Sequence, residues 1–129
     1  MALRIVRLGS TRRADEGLRI GTARRPPRGV RKSDYAKRNF YDVWLPELAP
    51  SQKLVSWALG KPWTDARWRQ FARSYRREMR EPRAERLLDL VAALSRATNL
   101  SVGCYCEDES RCHRSLLREL LRERRAKLA

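Results

Sequence analysis

All three cysteines and the only histidine of this chain lie within the ten residues 104–113. The four side chains are Cys104, Cys106, Cys112 and His113. Cysteine and histidine supply thiolates, metal ligands and proton carriers near neutral pH. A hydrophobic core uses cysteine as a small apolar residue and needs no histidine beside it. This segment is therefore the predicted reactive or ligand-binding centre of the protein.

A zinc site is one interpretation of the segment, because its three cysteines and its histidine form a Cys₃His ligand set. That set would be Cys104, Cys106, Cys112 and His113. The adjacency of Cys112 and His113 argues against it, since known patterns usually separate paired ligands by at least about two residues. Buried thiols that only pack against the strand are a second interpretation. We therefore assign no metal ligand, and the cofactor stays open with zinc as the candidate to test.

A thiol centre is the interpretation that we prefer. Cys104 or Cys112 would act as the nucleophile, and His113 would carry the proton. Arg114 would hold an anion through a charge-assisted contact. Neither Cys104 nor Cys106 is followed, six positions later, by the arginine of a phosphatase-type phosphate loop. The sequence therefore predicts thiol chemistry without that loop.

The segment lies at a predicted junction between a strand and a helix. Residues 99–106 alternate in the manner of a strand, and Ser110 is a good N-cap for a final helix. The period of a strand places Cys104 and Cys106 on the same side. Ligands commonly bind at the C-terminal edge of an α/β sheet. The N-terminus of a helix carries partial positive charge, which lowers a thiol pKa and attracts anions.

The rest of the chain alternates strand-like and helix-like segments without a low-complexity linker. We predict strands in residues 2–8, 17–22 and 40–46, and helices in residues 52–59, 64–79 and 83–98. An aromatic stripe on the second helix is expected to face the core; it consists of Trp68, Phe71, Tyr75 and Met79. This order predicts one compact, layered α/β domain over residues 1–129, with a small, mostly parallel sheet flanked by helices.

The formal net charge of +15 favours anionic partners. Residues 1–32 contribute +8 and residues 111–129 contribute +5, so the excess lies at the two ends. A nucleic acid or an anionic small molecule fits this charge, although only five of the 30 basic residues are lysine, which also fits a bias in genome composition. No run is long enough for a membrane span or a signal peptide, so we expect a cytoplasmic protein with reduced thiols and no membrane partner. No pattern specifies an oligomer.

The chain resembles the YeaO-like family, the domain of unknown function numbered 488. Cys104 lies eight residues before a Cys-His-Arg triplet that opens an aliphatic helix, as in the C-terminal signature of that family. The similarity continues upstream in residues 17–20, 27–32, 44–51 and 68–75, so it covers nearly the whole chain in order. It implies a compact α/β domain, but no established activity.

The resemblance also ranks the candidate residues. Some members lack the cysteines and others carry glutamate at the position of Cys106, which implies that an obligatory four-ligand zinc site is not a family feature. The family's usual acidic residue before the Arg-Pro loop, residues 24–29, is replaced here by Ala23. The better candidates are Cys104, Cys112, His113 and Arg114, with Arg24 and Arg28 facing them across the sheet edge as a hypothesis.

Two functions therefore follow from the sequence. We predict that the protein binds a phosphate-bearing ligand, such as a nucleotide or a nucleic-acid end, at a Cys/His/Arg pocket, and we leave open whether it processes that ligand. The alternative is a non-catalytic, basic nucleic-acid-binding module whose cluster is structural, with or without zinc. An enzyme requires a depressed thiol pKa, whereas a binding module requires a steep dependence of affinity on salt.

Overall fold

A four-stranded parallel sheet and four α-helices form the fold, and the computed structural model describes all residues 1–129. The strands are β1 (Leu3–Arg7), β2 (Leu18–Gly21), β3 (Val43–Trp44) and β4 (Leu100–Cys104). The helices are α1 (Gln52–Leu59), α2 (Asp65–Glu78), α3 (Pro82–Ser95) and α4 (His113–Glu123). Short 3-10 turns cover Lys32–Asp34, Pro46–Leu48 and Glu109–Arg111. The predicted α/β class is confirmed.

The strand order is β1-β4-β2-β3, and every neighbouring pair is parallel. Leu100 of β4 pairs with Leu3 on one side and with Leu18 on the other. All five residues of β4 are buried, as expected for the central strand of a covered parallel sheet. Parallel strands end at one edge of the sheet, so Cys104 lies where the C-termini of β1 and β2 also arrive.

The two faces of the sheet have different chemistry. Ile20, Leu100 and Val102 belong to the main apolar core, which includes buried residues from all four helices. The alternate positions, Arg19 and Ser101, point to the opposite face, since successive side chains of a strand alternate. Both are fully buried there. The helices therefore cover one face, and the other carries the buried polar residues Arg19 and Ser101 beside a small apolar cluster that includes Leu8 and Tyr41.

Side-chain caps fix the starts of two helices where the sequence predicted them. The hydroxyl of Ser51 accepts a hydrogen bond from Leu54 N at 3.2 Å, and that of Thr64 accepts one from Arg67 N at 3.1 Å. The predicted cap at Ser110 is wrong. Ser110 lies in a 3-10 turn and donates its backbone N–H to Asp108 at 3.0 Å, because the aspartate competes for the free N–H groups of that turn. Cys112 is the residue that precedes α4.

The aromatic stripe of α2 lies in the core as predicted. Phe71, Tyr75 and Met79 are buried, and Trp68 packs against the same core from a half-buried position. The predicted strand over residues 40–46 is shorter, because only Val43–Trp44 pairs with β2. None of the helices is long and apolar enough to cross a membrane.

Gly103 permits the close approach of β1 to the central strand. A Cβ atom at this position would lie 2.6 Å from Val6 O and 2.9 Å from Leu8 Cδ2. We expect Gly103→Ala to lower the free energy of unfolding by about 1–3 kcal/mol, the usual cost of overpacking, as measured by urea denaturation. Gly60→Ala is the matched control, because its Cβ would meet Trp57 O at an ordinary 3.4 Å. Equal unfolding midpoints for the two variants would contradict this account.

Candidate functional site

The three thiols meet at the C-terminal edge of the sheet. Cys104 ends β4, Cys106 lies two residues farther along, and Cys112 precedes α4. Their sulfur atoms all lie within 4.8 Å of one another, and the Sγ atoms of Cys104 and Cys106 are 4.0 Å apart. Cys104 and Cys112 are buried, Cys106 is exposed, and all three are free thiols. The structure thus brings together the three cysteines that the sequence singled out.

His113 is held in one orientation by Thr22, the residue that follows β2. Its Nε2 lies 2.9 Å from the carbonyl oxygen of Thr22 and 3.3 Å from the Thr22 hydroxyl. That hydroxyl donates its own hydrogen to Gly103 O at 2.9 Å, so both oxygens of Thr22 can only accept from Nε2. The hydrogen-bond network therefore assigns the proton to Nε2. The other ring nitrogen, Nδ1, lies 3.8 Å from Cys112 Sγ and is available as a base.

The four-ligand zinc set is only partly assembled. The three thiols are the donors that a soft metal prefers, and they are close enough to share one. His113 lies outside that group, because Nε2 is engaged by Thr22 and Nδ1 contacts Cys112 alone. The arrangement is therefore a three-thiol cluster with an imidazole beside one of its members.

The contacts within the cluster give the three thiols different pKa values. Hydrogen bonds from Cys104 and Cys106 lower the pKa of Cys112 well below its ordinary value, and His113 lowers it further. Together these contacts outweigh burial, which raises the pKa. The hydrogen bond with Cys106, followed by the one to Cys112 and by burial, raises the pKa of Cys104 far above its ordinary value. A hydrogen bond with Cys104 lowers the pKa of Cys106, but the bond to Cys112 and burial raise it to about 11. These directions favour Cys112 as the most acidic thiol of the cluster.

The thiol cluster opens into a cleft of about 690 Å³. Cys104, Cys106, Cys112 and His113 line one part of it. The apolar walls come from the Arg-Pro loop, α1, α2 and the residues that flank the sheet edge. They include Phe40, Val55, Leu59, Trp63, Phe71 and Tyr105. A cleft of this size, with an apolar lining and a few polar groups, is typical of a small-molecule site.

Arg24 and Arg28 line the same cleft, but they are held differently. Arg24 donates to the carbonyl oxygens of Pro50 at 2.8 Å and Pro46 at 3.0 Å, so it ties the Arg-Pro loop to the segment before α1. Arg28 is exposed and has neither a hydrogen bond nor an ion pair. Of the two, Arg28 has the unengaged guanidinium.

Arg114 is buried beneath the cluster and does not line the cleft. Its Nη2 donates to the carbonyl oxygen of Cys106, which holds the loop between β4 and α4 in place. Its Nε is buried without a partner. The main contact of Arg114 is therefore with the loop that carries Cys106.

Several residues of the site were not identified from the sequence. Thr22 orients His113 across 91 positions, and nothing in the sequence indicates that contact. Arg25 and Arg111 also line the cleft. Their positions in the sequence could have indicated both residues, because Arg25 belongs to the stiff Arg-Pro loop and Arg111 directly precedes Cys112.

Comparison with known proteins identifies a family. Residues 3–125 match the DUF488-N3a family, which is described as the active DUF488-N3 subclade. No curated protein and no solved structure shows significant similarity to the chain. The match extends over almost all of the sequence and agrees with the resemblance seen in the motifs. The chain therefore belongs to the DUF488 family, in its N3 subclade.

Proposed function

We propose that the protein binds a phosphate-bearing ligand, such as a nucleotide or a nucleic-acid end, in the cleft beside Cys112 and uses that thiolate as a nucleophile. One observation carries the proposal: a single apolar cleft contains the Cys112–His113 pair together with the exposed arginines Arg25 and Arg28. The description of the family as an active subclade supports an enzymatic role.

The lining of the cleft suits a ligand with two parts. Its aromatic and aliphatic walls favour a flat or apolar body, since burial of apolar surface contributes about 25 cal/mol per Å². Arg28 has no protein partner and supplies a charge-assisted contact for a phosphate group. Arg111 is partly occupied, because it pairs with Asp65 at 2.8 Å. Arg28 is therefore the main anion contact in the proposal, and Arg24 and Arg114 position the loops on either side.

The proposed covalent step uses Cys112 and His113. The Cys112 sulfur forms a bond to an electrophilic atom of the ligand, such as phosphorus, while the bond to the leaving group breaks and the leaving group departs with the electron pair. The proton that His113 Nδ1 took from Cys112 passes to the leaving group. Water then breaks the new bond to sulfur: its oxygen bonds to the electrophilic atom, its proton goes to His113, and Cys112 returns to the thiolate. The net reaction is hydrolysis.

Protection of Cys112 from alkylation tests the binding proposal. Nucleoside 5′-monophosphates are expected to slow the reaction of Cys112 with iodoacetamide, and the matching nucleosides are expected to do so much less. Arg28→Gln should weaken this protection about tenfold, since a hydrogen bond to a charged group contributes about 1.5–3 kcal/mol. Arg86→Gln is the matched control, because Arg86 is an exposed arginine of α3 outside the cleft.

Two results would count against the proposal. Equal protection by nucleosides and nucleotides would show that the phosphate is not recognised. If no nucleotide protects Cys112, nucleotides are excluded as the ligand class of the cleft.

A further inference from the structure

The Arg-Pro loop separates the thiol cleft from a second cavity of about 480 Å³. Pro26 lines both spaces, so the loop forms a ridge between them. The second cavity is bounded by Lys32 and by three aromatic side chains, Tyr35, Tyr41 and Trp44. Neither the proposed nucleophile nor its histidine lines it, and the proposed chemistry does not use it.

The ridge continues beyond the Arg-Pro loop and covers residues 23–38, which are the most basic continuous part of the chain. Residues 23–38 carry seven basic groups and a single acidic one, Asp34, which pairs with Arg31 at 3.3 Å. Five cations on it are exposed and have no acidic partner: Arg25, Arg28, Lys32, Lys37 and Arg38. Arg25 and Arg28 line the thiol cleft, and Lys32 lines the second cavity. Unpaired cations in both cavities match a chain of anionic groups better than one anion.

The second cavity offers a surface for a flat group. Trp44 on the edge strand β3 is 40% exposed, although its indole N–H is fixed by a 2.8 Å hydrogen bond to Ala23 O. That bond holds the ring in place and leaves part of it in contact with solvent. The one carboxylate in the lining, Asp42, is neutralised by Arg12 through hydrogen bonds of 2.8 and 3.0 Å. The cavity therefore presents an aromatic ring and a free Lys32 without an opposing charge.

From this arrangement we infer that the natural ligand is a single-stranded nucleic acid, with its end in the thiol cleft, its phosphates along the ridge and a neighbouring base on Trp44. The inference rests on the proposed function, because it uses the same cleft for the end of the chain. Stacking on an aromatic side chain and tracking of phosphates by a basic groove are how proteins hold single strands. A free mononucleotide would fill the cleft and contact Arg28, but it would leave Lys32 and the second cavity unused.

Competition between short oligonucleotides and mononucleotides tests this inference. The probes are 5′-phosphorylated hexathymidylate and hexauridylate, with the matching mononucleotides, read by fluorescence anisotropy and by protection of Cys112 from iodoacetamide. We expect the hexanucleotides to bind at least about tenfold more tightly at low salt, and Lys32→Gln to reduce the slope of log affinity against log salt by about 0.7. Arg86→Gln should leave both values unchanged.

Trp44 separates stacking from charge in the same assay. Trp44→Ala is expected to weaken hexanucleotide binding about tenfold, whereas Trp44→Phe, which keeps an aromatic ring, should restore most of it. Binding of inorganic tripolyphosphate, which has charge but no base, should not change in either variant. If Trp44→Ala weakens both probes equally, the variant has disturbed the ridge and the stacking role is overturned.

The remaining outcomes distinguish this inference from the function on which it rests. If mononucleotides and hexanucleotides protect Cys112 equally well, the inference of a polymeric ligand is overturned, whereas the proposal of a phosphate-binding cleft still holds. Hexanucleotides that bind without protecting Cys112 would place the strand elsewhere and overturn the inference. If no probe binds or protects, both proposals fail together.

Discussion

At pH 7, one equivalent of iodoacetamide is expected to modify Cys112, although Cys106 is the thiol exposed to solvent. Hydrogen bonds from Cys104 and Cys106 lower the pKa of Cys112, whereas the pKa of Cys106 is raised to about 11. Alkylation requires the thiolate, and the open cleft gives the reagent access to Cys112, so the lower pKa of Cys112 is expected to decide the product. Peptide mapping by mass spectrometry identifies the labelled residue.

The pH profile follows from the direction of the shift. The alkylation rate of Cys112 should stay constant as the pH falls from 8 to 6, whereas an ordinary thiol with a pKa of about 8.5 slows almost tenfold per pH unit in this range. Cys106→Ala removes a hydrogen bond to the thiolate, and we expect it to raise the midpoint of the profile by about one pH unit. Cys112→Ser should abolish the labelling below pH 7.

These results must hold for protein that has been treated with a chelator, because a metal on the three thiols would also suppress labelling of Cys106. Circular dichroism of Cys112→Ser and Cys106→Ala checks that the fold is retained. Preferential labelling of Cys106, or a rate that rises only above pH 8, would mean that the cluster contains ordinary thiols. The alternative of a structural cluster would then be correct.

Local patterns in the sequence predicted the parts of this site that depend on neighbouring residues. The strand that carries Cys104, predicted over residues 99–106 and observed at Leu100–Cys104, follows from spacing within a few positions. The helices predicted over residues 52–59 and 64–79 and the buried stripe of α2 follow in the same way. The failure at Ser110 is also local, because Asp108 and Ser110 compete as caps only two residues apart. Boundaries are sensitive to such competition, whereas the type of element is not.

Contacts between distant segments could not be predicted in this way. Thr22 selects the tautomer of His113 only because β2 lies next to β4 in the sheet, an order that no short pattern encodes. Arg19 gives a second example. An arginine that alternates with apolar residues in a strand normally points to solvent, but Arg19 is completely buried because the segment after β1 covers that face and supplies Glu16.

The second large effect is expected at this buried ion pair. Arg19 Nε and Nη2 donate to the Glu16 carboxylate at 2.7 and 2.9 Å, and Ser101 adds a hydrogen bond of 2.7 Å. Arg19 Nη1 also donates to the carbonyl oxygens of Ser10 and Asn39. The pair therefore joins β2 and β4 to the segment that follows β1 and to Asn39, which follows the ridge.

Glu16→Gln should lower the free energy of unfolding by about 3–5 kcal/mol, because it leaves the buried guanidinium of Arg19 without a counter-charge. Burial raises the pKa of Glu16, but hydrogen bonds from Arg19 and Ser101 outweigh it and hold the pKa below the ordinary 4.5. The carboxylate's contribution is therefore complete above pH 4.5 and is lost as the pH falls through the lower, folded-state pKa. Urea denaturation at pH 7 and pH 3 measures both effects, and Glu16→Gln should show less acid sensitivity than the parent.

A double variant separates the charge from the fold. Glu16→Leu combined with Arg19→Met removes both charges and keeps similar volumes, so we expect it to be more stable than either single variant. Asp15→Asn is the matched control, because Asp15 forms only exposed ion pairs with Arg4 and Arg13 and should change stability by less than about 1 kcal/mol. If the double variant were as unstable as the sum of its singles, the two residues would act independently, and the cost would lie in the hydrogen bonds of Arg19 to Ser10 and Asn39 instead of in an unpaired charge.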